Sequence, residues 1–393
     1  DVEVTPPDVI ADVGLPLPAT LPTDLPPDVQ AIGVVSTTLE DDGKTKVSKV
    51  TLPPGTTSFL AVVRGQHPGH FTIATAVTPK GDLLGKGQCQ PKCTSCSNPI
   101  WAAPATGAVL FPNASAVKVL AGAWHLSSCG FVWKQEGSQF STQPLAKAAI
   151  ETYVLARVRP DGKLPEKAAL KVRLWFAGAF PNAAQSFDDA KSVAMLSTAA
   201  TALMSAGVEL HIIDRLNAPK GHAAIAVPDG LTTDHSSNAD TLFAEATKIG
   251  GSAVLDVFVV DSLVGAKQGG EQPGGWSGGV PGPVGMPGIA RAGVVIALPQ
   301  LADGATAGRR LAHELGHYLG LFDSTGADGD HDPLDSTPQC PATQDDGDGL
   351  LTAKECASYD GGNVMFWRPS AEPATFTAEQ GAILRGNPLL WPK

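Results

Sequence analysis

The sequence contains no run of ~18 apolar residues, so no membrane-spanning helix is expected. Basic residues are scarce: Lys and Arg number 28 against 39 Asp and Glu, a formal net charge of −11. Nucleic-acid binders need a basic face, so that class is set aside. No internal repeat and no signal peptide is visible. At 43% hydrophobic the chain is too apolar for wholesale disorder, and 393 residues leave room for two domains. Forty-three Gly and 33 Pro predict many loops and much β-structure.

The shortage of bases is concentrated. Residues 1–30 carry six acids, seven prolines and no base. That composition cannot bury a core and reads as an extended tether, to which an export or lipid-anchoring segment is an expected neighbour. Residues 323–360 carry ten acids against one base, Lys354. Carboxylates that close repel one another unless solvated or bound to cations, so metal is expected here.

Six cysteines fall in two groups, Cys89, Cys93, Cys96 and Cys129, then Cys340 and Cys356. An even count points to an oxidising compartment and up to three disulfides, hence to a secreted or cell-surface protein. For the first group a four-thiolate zinc site stays open, because Cys93 and Cys96 are three apart.

Residues 31–165 are expected to be a β-sandwich-like domain. Short apolar runs (Ser58–Arg64, Phe71–Val77, Val117–Ala123, Tyr153–Val158) alternate with Pro/Gly turns. Residues 166–393 change texture and predict a second domain of mixed α+β and α/β character. Strands are expected at Leu170–Ala177, Val208–Asp214, Val254–Val260 and Gly293–Leu298. Helices are expected at Ala183–Ala206 and Asn238–Ile249, and from a Thr306 cap to about Leu321. The segment 265–288 is too broken by Gly and Pro for a regular element.

The informative stretch is His313-Glu314-Leu315-Gly316-His317-Tyr318-Leu319-Gly320-Leu321-Phe322-Asp323. On a helix, His313 and His317 share one face, where two imidazoles can reach one zinc ion. Glu314 lies beside that ion without having to bind it, the place for a general base acting on water. Gly320 lets the chain turn, so that Asp323 can swing back as third ligand. His331 is a possible substitute. The plain alternative is a helix with two incidental histidines.

With Gly320 and Asp323 at this spacing, the chain resembles the metzincin metallopeptidases, and within them the pappalysin-type group. Gly362-Asn363-Val364-Met365-Phe366-Trp367 resembles their methionine turn, which implies that Met365 floors the metal. Further similar pieces are Leu255–Asp261, Gly293–Ile296 and Asp335-Ser336-Thr337-Pro338. The resemblance spans residues 168–393 and implies a twisted sheet, a backing helix, an active-site helix and a zinc endopeptidase acting on protein or peptide. By the same analogy Trp276–Gly288 would edge the cleft and Phe366–Pro373 would shape specificity. Two departures stand out. Asp323 holds a position usually occupied by His, which lowers the charge of the site and is expected to shift activity to higher pH. Trp367 stands where many relatives carry a tyrosine able to assist the oxyanion.

Residues 344–355 align with an EF-hand-like calcium loop: Gln344, Asp346, Asp348, Leu350 through its carbonyl, and Glu355. Gln344 is a weak first ligand. Asp328, Asp330, Asp332 and Asp335 form a second candidate cluster, with a solvated acidic loop as the alternative for both. His67 and His70 read as surface residues, Asn113-Ala114-Ser115 spells a glycosylation sequon, and Thr377–Gln380 spells a capping box. The expectation is therefore a secreted zinc endopeptidase, with calcium as second ion, no nucleic-acid partner and a monomeric state. The alternative is a weak or latent metzincin-like protein whose β-domain binds a surface or polymer.

Overall fold

The computed structural model describes residues 24–393 except 66–68, 86–88, 94–95, 137–138, 179–187, 219–223, 227–241, 244–245, 247–248, 250–252, 265–272, 285–291, 328 and 369–373. The fold is sheet-rich, with few helices. In the N-terminal half the strands are β1 (Val29–Thr38), β2 (Ser48–Leu52), β3 (Thr56–Gly65), β4 (His70–Val77), β5 (Lys92–Cys93), β6 (Ile100–Trp101), β7 (Ala103–Pro104), β8 (Thr106–Phe111), β9 (Gly122–Glu136), β10 (Gln139–Pro144) and β11 (Ala149–Val158). The C-terminal half holds β12 (Ala168–Phe176), α1 (Ala190–Ser205), β13 (Val208–Asn217), β14 (Ala224–Ala226), β15 (Leu255–Val260), β16 (Ser262–Val264), β17 (Gly275–Ser277), β18 (Gly293–Ala297), α2 (Gly304–Leu319), α3 (Ala378–Gly386) and β19 (Trp391–Pro392).

Two antiparallel sheets, β1-β11-β3-β8 and β10-β9-β4-β7 with β2 beside β9, close on a common core. Alternation along the strands builds it. Phe59, Ala61 and Val63 of β3 and Val109 and Phe111 of β8 meet Phe71, Trp124 and Leu126 of the second sheet. The opposite face of the first sheet is apolar too. Leu60, Val62, Ala108, Leu110, Tyr153 and Leu155 belong to the cluster that contains α1, α2 and one face of the C-terminal sheet. A middle layer buried on both faces thus joins the halves.

The C-terminal sheet runs β13-β12-β15-β18-β17. Its first four strands are parallel and β17 is antiparallel to β18 at the edge. Near-continuous apolar runs such as Leu255–Val260 suit strands buried on both faces. One face packs on α1 and α2, and the other on Phe243, Ala246 and Ile225. Among the described residues no helix is long and apolar enough to cross a membrane.

Several expectations need correction. The tether ends before residue 30. The Asp24 carbonyl accepts from Ala253, and Asp28 forms an ion pair at 2.6 Å with the fully buried Arg157. That guanidinium also donates to the Asn387 and Leu390 carbonyls, tying the start of β1 to the C-terminal segment. Residues 1–23 lie outside the described residues. Val117–Ala123 is mostly coil, and the strand starts at Gly122. Helix α1 starts at Ala190 because the Asp189 side chain accepts from Ser192 N and caps it there. The second expected helix lies mostly outside the described residues, although Leu242, Phe243 and Ala246 are helical. Segment 265–288 does contain a strand, β17, short because only three residues pair with β18.

The six cysteines form Cys89–Cys129, Cys93–Cys96 and Cys340–Cys356, so the four-thiolate alternative does not form. His70 is not a surface residue: it is buried and stacks on Phe131. His67 lies outside the described residues. Asn113 of the sequon is 2% exposed, its backbone N–H donating to Asn98, so the sequon is not presented to solvent.

Candidate metal centre

Helix α2 is capped by Asp303, whose side chain accepts from Thr306 N at 2.6 Å. Thr306 was the expected cap; the helix begins three residues earlier because the carboxylate takes that role. At the other end Gly320 adopts φ 119°, and its N–H meets the Gly316 and His317 carbonyls. A side chain is strained at that φ. A Cβ there would also lie 2.8 Å from Leu110 of the middle sheet. The turn sends Leu321–Asp323 back along the helix.

His313 and His317 stand one turn apart, their ring centroids 4.5 Å from each other. The two Nδ1 atoms face backbone carbonyls, Val364 at 2.9 Å and Leu321 at 2.8 Å. A carbonyl can only accept, so each Nδ1 carries the proton and each Nε2 presents a lone pair. Both lone pairs point at one atom, Asp323 Oδ1, at 3.4 Å from His313 and 3.3 Å from His317. That oxygen is buried without a hydrogen-bond partner. Three lone-pair donors facing one another repel unless a proton or a metal ion sits between them. Ligands about 2.0–2.1 Å from a tetrahedral zinc ion stand about 3.3–3.4 Å apart, which is the separation seen here. The residues present therefore fit zinc. His331 does not join them; its Nδ1 lies against Thr325 Oγ1.

The titration of the group follows the same geometry. Burial pushes His313 down to about 3, helped by the neighbouring His317 charge. Burial works against the charged form of His317 as well, but the Asp323 carboxylate outweighs it, aided by Glu314, and pushes His317 up to about 9. One proton thus satisfies the trio without an ion, and a cation would displace it.

Glu314 is 5% exposed, and burial raises its pKa against the opposing pull of His317, Arg310 and the Ser277 backbone N–H. Its carboxylate lies 3.8 Å from Arg310 Nη1. Edge strand β17 passes directly over these side chains. A Cβ on Gly275 would lie 2.7 Å from Glu314 Cγ and 2.9 Å from Arg310 Cγ, so glycine is required for that approach. Met365 is fully buried and its sulfur packs against Gly316, between the two histidines in sequence. Its turn is held by Asn363, whose Oδ1 accepts from Met365 N and whose Nδ2 donates to Gln380. Trp367 is buried, its indole N–H donating to Leu351. Tyr318 cannot replace the absent phenol, since its hydroxyl is buried on the Pro283 carbonyl.

In the acidic loop Asp345, Asp346 and Glu355 bring carboxylate oxygens together, without Asp348. Gln344 is exposed in a 3-10 turn, and Asp348 Oδ1 accepts from Leu350 N, which leaves Leu350 positioned by its N–H. Asp345, which the expected ligand set leaves out, joins that carboxylate group. Glu355 is occupied by the chain itself, accepting from Asp346 N, Thr352 N and Thr352 Oγ1. The second expected cluster is dispersed. Asp330 pairs with Lys92, Asp332 is buried on Leu334, Thr337 and Gln380, and Asp335 is exposed. Asp328 lies outside the described residues.

Arg310 and Gly275 went unrecognised in the sequence. Arg310 had a signal, standing four residues before Glu314 on the same helix. Gly275 had none, because it acts through strand placement.

No family profile and no curated protein matches this chain. Among solved structures, mirolysin in complex with compound 9 superposes with a TM-score of 0.36 at 15% identity, covering 56% of this chain and 91% of that one. Metalloproteinase-II from Bacteroides fragilis superposes at 0.33 and 13% identity, covering 59% and 61%. Superpositions this partial leave the reading of the site to its own residues.

Proposed function

We propose that the chain is a zinc-dependent endopeptidase of metzincin type, nearest in motif to the pappalysin-type group, with Asp323 as third protein ligand. The observation that carries this is the convergence of His313 Nε2, His317 Nε2 and Asp323 Oδ1 at ligand spacing, with both Nδ1 atoms tied to carbonyls and Glu314 alongside.

Zinc bound by these three side chains would supply Lewis-acid polarisation of the scissile carbonyl and of a water. The remaining work belongs to the chain. Glu314 takes the water proton and delivers it to the leaving amine nitrogen. Strand β17, last in its sheet, offers an edge along which an extended peptide can lie beside Glu314. Val364 and Leu321 hold the imidazoles in the ligating tautomer. Three disulfides accord with an extracellular setting. An intact Glu314 argues against a catalytically dead passenger.

Purified protein should contain about one zinc per chain and cleave casein or a peptide library. Glu314→Ala should lower kcat by at least about a hundredfold while keeping its zinc, and o-phenanthroline should abolish cleavage. Metal-free protein, or a Glu314→Ala variant that cleaves normally, overturns the reading.

A further inference from the structure

Arg310 lies on α2 one turn before Glu314. Its stem runs beneath Gly275 of β17 and its tip reaches the segment after Met365, where Nη1 donates to the Trp367 carbonyl at 3.3 Å. The guanidinium therefore spans the space between the sheet edge and the methionine turn, on the Glu314 side of the centre. Its side chain is 21% exposed.

Two buried arginines of this protein are each paired with a carboxylate. Arg157 holds both oxygens of Asp28 and two backbone carbonyls. Arg173 forms a two-point pair with Asp256 at 2.8 and 2.9 Å. Arg310, by contrast, makes one long bond to a carbonyl and a 3.8 Å approach to Glu314 among the described residues. A guanidinium has five donors arranged as a fork that matches a carboxylate. Most of that capacity is unused here. The charge balance points the same way. Zinc held there would sum to zero with Asp323 and Glu314, so Arg310 would leave a net positive charge beside Glu314.

We propose that Arg310 is a specificity residue, and that the substrate is a peptide with an aspartate or glutamate side chain next to the cut, received by this guanidinium. The inference rests on the peptidase reading and names its substrate class. A lysine or arginine at the same substrate position would be repelled.

The test uses the zinc-loaded Glu314→Gln protein and pairs of peptides that differ only by Glu against Gln, moved through the positions flanking the bond. At one position the Glu peptide should bind roughly tenfold tighter at low salt. Adding Arg310→Gln should erase that preference. Arg310→Lys, which keeps the charge without the fork, should retain part of it. Equal binding of Glu and Gln peptides at every position overturns the proposal, as does a preference that survives Arg310→Gln. Should Arg310→Gln fail to fold, the comparison in the parent and the Arg310→Lys variant still decides. Wild-type protein that cleaves nothing yet keeps an Arg310-dependent Glu preference would reject the peptidase reading and leave this assignment standing.

Discussion

Two positions, Gly275 and Asp323, set the chemistry at the scale of single residues. Gly275 lets the edge strand rest on Glu314, and a methyl group there would press on Glu314 Cγ and Arg310 Cγ. Gly275→Ala should therefore lower kcat about tenfold or more, with little change in melting temperature because only an edge strand moves. Normal activity would show that Glu314 is not positioned by this contact. Asp323 contributes a negative charge where a histidine would be neutral. Asp323→His should raise the positive charge of the proposed zinc site and move the acid limb of the pH–rate profile downward. A limb that stays in place would show that ligand charge does not set it.

Among the elements, the end of α2 and the loop beyond it carry the most consequence. The Gly320 turn returns Asp323 to the helix, and α2 presses on Leu110 at that point. Gly320→Ala should cost about 1 kcal/mol or more and weaken zinc binding, as read by competition with a chelator. Farther along, Asp332 is 3% exposed, and burial pushes its carboxyl up to about 7, with the Asp360 charge adding to it. Its proton is held more tightly in the folded chain than in the unfolded one. The resulting stability is complete below the ordinary value of 3.8 and is lost as pH rises through about 7. Thermal stability should fall across that window, and Asp332→Asn should flatten the slope. A slope identical in both proteins would show that Asp332 does not titrate there.

For the molecule as a whole, the middle sheet decides whether the halves are separable. Leu60, Val62, Leu110, Tyr153 and Leu155 share one core with α1 and α2. A chain starting at residue 166 would expose that surface and should be insoluble or molten. A soluble, zinc-binding fragment would show that the N-terminal half is an independent module after all. Distant partners also decide burial that no local pattern shows. His70 is covered by Phe131 and Trp133 of the neighbouring strand β9, and Asn113 is held by Asn98. The short strand β17 carries no apolar periodicity; it exists because β18 pairs with it.

What could be read from the chain alone was local. Two histidines four apart, a glutamate between them and a glycine before an aspartate lie within a single helix and its turn, so spacing determines their geometry. The Thr377–Gln380 capping box is equally local, and it is formed. Tertiary structure decided everything that depends on distant partners. The Asp303 cap competed with Thr306 at nearly the same place, and Asp345 joined Asp346 and Glu355 in the acidic loop. The carbonyl of Val364 came to fix a histidine tautomer across 51 residues of chain. Arg310 came to lie beside Glu314 under a strand because Gly275, 35 residues upstream, leaves room over its stem. Hydrogen-bond and packing partners at such separations are chosen by the closure of the core, which no local pattern encodes.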